Sequence, residues 1–198
     1  MRKALFFVLT FGLFLLLHGS SAHAISLFFD PPFQTVVAGD PVSVDLLISG
    51  LKNFVAPALS TFDLDVKFNQ AILAFDVTDA DGNGVADSVT LDPTSQLDLQ
   101  QLGLNPVSAR LVAPGRLNLF DLSLDPPEEL NSGQKGDFPL ATITFTAVAS
   151  GVSRLDLSVN ALGDAAGNRL VIPEPSTLLF VGSGLVGFVI FRRKRLVA

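Results

Sequence analysis

The sequence predicts an all-β domain, an antiparallel sandwich of about nine short strands, and three observations carry that expectation. Apolar and polar side chains alternate with a period of two in run after run along the middle of the chain. Clusters of Gly, Pro, Asn and Asp separate these runs, and only residues 96–102 show even a weak helical pattern. Such alternation gives each sheet one face toward a core and one toward water, which two stacked antiparallel sheets satisfy.

Taken in order, the first strand is expected over Ile25 to Phe29 and the second over Pro41 to Ser49, with Val42, Val44, Leu46 and Ile48 inward. Thr61 to Phe68 alternates throughout: Phe62, Leu64, Val66 and Phe68 share one face, and Thr61, Asp63, Asp65 and Lys67 the other. Shorter candidates follow at Ile72 to Val77, Val107 to Val112 and Leu117 to Leu122. Thr142 to Ala147 buries Ile143, Phe145 and Ala147, Arg154 to Val159 buries Leu155, Leu157 and Val159, and Arg169 to Ile172 closes the set. Each fully buried Phe contributes roughly 1.5–3 kcal/mol, so the Phe residues within these strands are core. Phe28, Phe29 and Phe33, beside Pro31-Pro32, either fold over an open end of the core or form a binding patch, and Phe54 is a further exposed candidate.

The flanks differ in kind from this body. Residues 1–24 run from Arg2-Lys3 through an apolar stretch to Ala22-His23-Ala24, the order of a secretory signal peptide with a helical apolar segment. Ala22 and Ala24 occupy the −3 and −1 positions of the expected cleavage site; an uncleaved anchor is the other reading. Residues 173–198 begin with Pro173-Glu174-Pro175, continue through an apolar stretch from Leu178 to Phe191 that reads as a transmembrane helix, and end near Arg192-Arg193-Lys194-Arg195. Those four basic residues act as a membrane stop and keep the end cytoplasmic. The letters Gly182-Ser-Gly-Leu-Val-Gly187 match a dinucleotide fingerprint but lack the strand, helix and acidic residue it needs.

The order of tripeptide, apolar segment and basic tail resembles the PEP-CTERM sorting signal of Gram-negative bacteria. That resemblance implies recognition of Pro173, Glu174 and Pro175 by an exosortase, transit through the inner membrane, and delivery to the cell surface or the extracellular matrix.

Composition narrows the chemistry available to the body, residues 25–172. The chain has no Cys, which excludes disulfides, thiolate metal sites and cysteine nucleophiles. His18 and His23 both lie in the signal segment, so imidazole chemistry is excluded from the processed chain. Seven basic residues face 18 acidic ones in the body, a net charge of −11, which disfavours nucleic acid and favours divalent cations.

One segment has the composition of a cation site. In Asp76-Val-Thr-Asp79-Ala-Asp81-Gly-Asn83-Gly84-Val85-Ala-Asp87-Ser88, counting from Asp79 puts oxygen side chains at positions 1, 3, 5 and 9. Gly84 falls at position 6, where a calcium loop turns sharply, and Val85 at position 7 would offer a backbone carbonyl. Asp79, Asp81, Asn83, Val85 and Asp87 are therefore the candidate ligands. Thr90 stands where an EF-hand has its bidentate Glu, so the expected Ca²⁺ affinity is weak, about 10⁻⁴–10⁻³ M. A solvated Asp-Gly and Asn-Gly turn would use the same residues.

The runs Val36 to Val44, Thr61 to Phe68 and Leu140 to Ala147, with Ser150-Gly151 and the turn Asp164-Ala-Ala-Gly-Asn168, resemble cohesin domains. That resemblance implies a single jelly-roll β-sandwich, related in fold to certain carbohydrate-binding modules, with a binding role and no catalysis. Glu128 and Glu129 are adjacent in an expected loop, and the residues name no nucleophile with a base partner. Three readings follow: a module that binds a surface protein or exopolysaccharide, a structural matrix component stabilised by calcium, and a hydrolase with a dispersed site. Sugar platforms use Trp or Tyr, and the chain has neither, which weighs against a glycan ligand.

Overall fold

A computed structural model describes residues 25–172. The described residues form ten strands and one short helix: β1 (Ser26–Asp30), β2 (Phe33–Val36), β3 (Pro41–Ser49), β4 (Leu59–Phe68), β5 (Leu73–Phe75), β6 (Val89–Leu91), β7 (Val107–Ala113), β8 (Arg116–Leu122), α1 (Pro127–Gly133), β9 (Phe138–Ala147) and β10 (Gly151–Asp164). They form two five-stranded sheets, ordered β1-β3-β9-β5 with β6 also on β9, and β2-β10-β4-β8-β7. All strand pairs are antiparallel.

The core follows the alternation except at two predicted positions: Val159 of β10 is exposed, just before the bulge at Asn160, and Phe120 of β8 is half-buried on the outer face, out of phase with Leu117 and Leu119. Val42, Val44, Leu46 and Ile48 of β3 meet Phe62, Leu64 and Val66 of β4, with Ile143 and Phe145 of β9 and Leu117 and Leu119 of β8. Phe145 is flanked by Phe68 at 5.1 Å, tilted, and by Phe75 at 5.9 Å, edge to face, between ring centroids, arrangements that aromatic quadrupoles favour over a face-to-face sandwich.

Register shifts adjust the faces, two of them on the strands that matter most here. The register shifts after Leu46 in the β3–β9 pair, and Leu140 and Ala141 of β9 are both buried despite being neighbours. A second shift between Val159 and Ala161 leaves Asn160 as the extra residue of β10 opposite β4.

Sheet topology also places the acidic segment. One edge of β9 is covered end to end by two three-residue strands, β5 against Phe145–Ala147 and β6 against Ala141–Ile143. The chain between them, residues 76–88, leaves the sheet and returns, so the excursion is anchored at both ends by the same strand.

The structure corrects the sequence reading in four places. Residues 96–102 are not helical: the carboxylates of Asp92 and Asp98 take the backbone N–H groups of Gln96, Leu97, Leu102 and Gly103 into irregular turns. The helix is α1, where a loop is expected; Pro127 starts it, Glu128 and Glu129 occupy its first turn and Leu130 is buried. Arg169 to Ile172 is no strand. Instead the chain folds back along β10, with an isolated bridge between Gly163 and Arg169, a bond from Leu170 N–H to the Leu162 carbonyl at 2.8 Å, and Ile172 packed on the core. Strands β2 and β6, of four and three residues, are too short for periodicity to show.

The expected signal and transmembrane helices fall outside the described residues. Among the described residues no helix is long and apolar enough to cross a membrane.

Candidate functional site

The acidic loop is built by its own side chains. Two glycines with positive φ, Gly82 at 71° and Gly84 at 86°, let the backbone reverse twice within three residues. The Asp79 carboxylate accepts N–H bonds from Asn83 at 3.1 Å and Gly84 at 2.9 Å. Asp81 accepts from the Asn83 N–H at 3.2 Å and the Asn83 amide at 2.9 Å, and Asp87 reaches back to the Ala80 N–H at 3.3 Å. Ligand oxygens of Asp79, Asp81 and Asp87 consequently lie within 4.8 Å of one another, all three residues exposed.

Of the other candidate ligands, Asn83 accepts the Val85 N–H on its side-chain oxygen at 2.7 Å. Val85 makes an isolated parallel bridge with Ala109 of β7, flanked by bonds from Ala109 N–H to the Gly84 carbonyl and from Ala86 N–H to the Ala109 carbonyl, both 3.0 Å. The loop thus ties one sheet to the edge of the other.

Electrostatics follow from these contacts. The Gly84 N–H, ahead of the Asp81 and Asn83 contacts, holds the Asp79 carboxyl below its usual range. The Thr78 hydroxyl and N–H do the same for Asp76. Both groups favour the ionised form that a hard divalent cation requires.

A second constellation lies on the outer face of the β2-β10-β4-β8-β7 sheet. Register aligns Phe120 with Asp63, Asn118 with Asp65, and Arg116 with Lys67 across β8 and β4. On the far side of β8, Ser108 and Arg110 of β7 pair with Phe120 and Asn118. The Asn118 amide donates to Asp63 at 2.7 Å and Asp65 at 3.0 Å, and the bulged Asn160 donates to Asp63 at 3.0 Å. Arg116 stands 3.9 Å from Asp65. This yields a flat face of fixed polar groups with one half-buried aromatic, Phe120. Sequence reading had Asp63, Asp65 and Lys67 on one face but missed Asn118, Asn160 and Phe120, which only cross-strand register brings together.

The three clustered Phe residues do not make one patch. Neighbours on a strand point to opposite faces, so Phe29 enters the core, 7% exposed, while Phe28 points outward, 44% exposed. This removes Phe29 from the expected binding set. Phe33 opens β2 in the other sheet, and Phe54 sits in the β3–β4 connection with φ of 59°; both are exposed. Ala22, Ala24, Pro173, Glu174, Pro175, Arg192, Arg193, Lys194 and Arg195 lie outside the described residues.

One buried acid was passed over in the sequence. Asp121 is 2% exposed on the inner face of β8. Its signal was available, since it stands in phase with Leu117 and Leu119.

The family described as the PEP-CTERM protein-sorting motif matches residues 171–195. The chain carries a PEP-CTERM sorting motif. A chain of the type I cohesin–dockerin complex Coh-OlpA-Doc918 from Clostridium thermocellum is similar to the sandwich, with TM-score 0.53 at 12% identity, covering 75% of this chain and 92% of that one. A type II cohesin domain from the cellulosome of Acetivibrio cellulolyticus has TM-score 0.50 at 15% identity, covering 74% and 86%. A chain of the type II cohesin-X-dockerin complex from the same organism also has TM-score 0.50, at 19% identity, covering 74% and 90%. At these identities the likeness establishes a cohesin-like fold. Comparison with curated proteins finds no match. The PEP-CTERM motif marks an exported protein sorted to the cell surface, and a cohesin-like sandwich is what that motif carries.

Proposed function

We propose that the chain is a non-catalytic binding module, displayed at the cell surface after processing by an exosortase, whose outer β10-β4-β8-β7 face takes a protein partner. The observation that carries this reading is the direct junction of a cohesin-like sandwich to the PEP-CTERM motif at residue 171. The face supports it physically. Asp63, Asp65 and Asn118 are half-buried and hydrogen-bonded to one another, so little side-chain entropy remains to be lost on association. Exposed Arg110, Arg116 and Lys67 around them supply charge complementarity to an acidic or mixed surface.

Calcium at Asp79, Asp81, Asn83, Val85 and Asp87 belongs to the same proposal as a stabilising ion that pins the loop between the sheets. The close approach of three exposed carboxylates favours it, and the same approach favours a second reading, a structural matrix component held rigid by calcium.

Retention of surface proteins and exopolysaccharide of the producing organism on the immobilised protein separates the readings. Saturable retention of one protein, lost in Asp63→Ala and Phe120→Ala, supports the binding module. Retention of polysaccharide alone reassigns the ligand, and no saturable retention leaves the structural reading.

A further inference from the structure

Residues 92–105 cross the open side of the sandwich without regular structure, yet they are closely organised. Asp92 accepts the N–H groups of Gln96 at 2.7 Å and Leu97 at 2.6 Å, and Asp98 those of Leu102 at 2.9 Å and Gly103 at 2.8 Å. Leu97 is fully buried and plugs the core. The segment is fastened to β8 through Asn105, whose amide donates to the Leu97 carbonyl at 2.9 Å and to Asp121 at 3.3 Å, while its oxygen accepts the Leu124 N–H at 3.1 Å.

Beneath it lies a cavity of about 390 Å³ into which Asp92, Asp98 and Asp121 all face. The other walls are neutral: Asn83 and Val85 from the acidic loop, β6, and Val107 of β7. Phe62 stands opposite Asp121 on β4. No Lys, Arg or His lines the cavity among the described residues, so the three carboxyls gathered there face no cationic side chain, and the backbone N–H bonds go to Asp92 and Asp98. The one side-chain hydrogen bond to Asp121, from Asn105, is long for a charge-assisted contact.

We propose that Asp121 is a proton-controlled latch: with its carboxyl protonated, segment 92–105 closes on the sheet, and ionisation of that carboxyl loosens the segment. Burial pushes the Asp121 carboxyl up to about 7, reinforced by the charge of Asp92. Asp92 is itself pushed up by burial. In an open or unfolded segment both groups ionise near their ordinary value of 3.8. The closed state therefore binds more protons than the open one as pH rises from about 4 to about 7. Over that window the closed-to-open ratio falls by up to about tenfold per pH unit for each proton released and then levels off.

The test is amide hydrogen exchange on the full-length protein from about pH 5 to 8, corrected for intrinsic rates, with ¹³C-carboxyl NMR of labelled Asp. The opening constant of Leu97, Leu102 and Gly103 is expected to rise by up to about tenfold per pH unit relative to amides of β4 until pH 7. In Asp121→Asn, which keeps the shape without the charge, that rise shrinks to the part Asp92 contributes. An opening constant that is flat with pH, or that rises equally in Asp121→Asn, overturns the proposal. Should the variant fail to fold, the wild-type carboxyl resonance decides alone: a midpoint between 6 and 8 supports the latch, and one near 4 overturns it.

Discussion

Gln134 serves Leu59 as a strand partner would, although 75 residues separate them. Its side-chain oxygen accepts the Leu59 N–H at 2.6 Å and its amide donates to the Leu59 carbonyl at 2.8 Å, with a further bond to the Gln96 carbonyl at 2.9 Å. All of this is buried, at the first residue of β4. The pair docks the end of α1 onto the start of the second sheet.

Gln134→Ala should accordingly destabilise the domain by about 3 kcal/mol or more, since each stranded buried backbone group costs about 1–3 kcal/mol. Urea denaturation measures this as a lower midpoint with an unchanged slope. A loss below about 1 kcal/mol would show that water replaces the side chain.

Calcium is expected to raise the melting temperature. At about 10 mM CaCl₂ a site of the expected weakness contributes about 1.4–2.7 kcal/mol. Asp87→Ala removes one ligand but only a single 3.3 Å bond to Ala80, so apo stability should hold while the calcium response vanishes. Calorimetric titration showing no heat in the wild type refutes the site.

Stability should peak near pH 4–5. Asp76 and Asp79 have lowered carboxyls, so the stability they give is present above about 4 and lost as pH falls further. Asp92 and Asp121 are raised, so the proton each holds when folded makes stability fall as pH climbs from about 4 toward 7. The −11 charge of the body adds repulsion on the same side. Thermal melts across pH 3–8 check both limbs, and Asp121→Asn should flatten only the upper one.

On the outer face, Phe120→Ala should weaken partner retention about tenfold or more, as truncation of a central aromatic anchor does. Because Phe120 is only half-buried, the domain should remain folded by circular dichroism. Unchanged retention would move the binding surface elsewhere.

Glu174→Ala should leave folding intact and alter sorting, with the protein retained in the membrane fraction and lost from the surface. Surface display at the wild-type level would show that the tripeptide is not read.

The long strands were legible because burial on one face forces a period of two over seven or more residues, and β3, β4 and β9 obey it. The same rule is silent where an element is short, as with β6, or where a proline that starts a helix, Pro127, reads as a breaker. At the acidic loop, spacing alone assembled Asp79, Asp81 and Asp87, because ligands close in sequence need only a local turn. The Asp63–Asn118–Asn160 network was out of reach, since it joins three strands through register and a bulge that no single run of residues encodes.

Finally, the folded-back tail sets a clearance. Ile172 packs on the core, and the sorting motif already begins at residue 171, so the domain and the address overlap by two residues. A residue spans at most about 3.6 Å of extended chain, which keeps Glu174 within about 7 Å of Ile172. An enzyme that reads Pro173 to Pro175 is therefore expected to approach the folded domain closely. A spacer inserted after Ile172, which leaves the sandwich and the Pro173-Glu174-Pro175 tripeptide each intact, is expected to relieve that crowding.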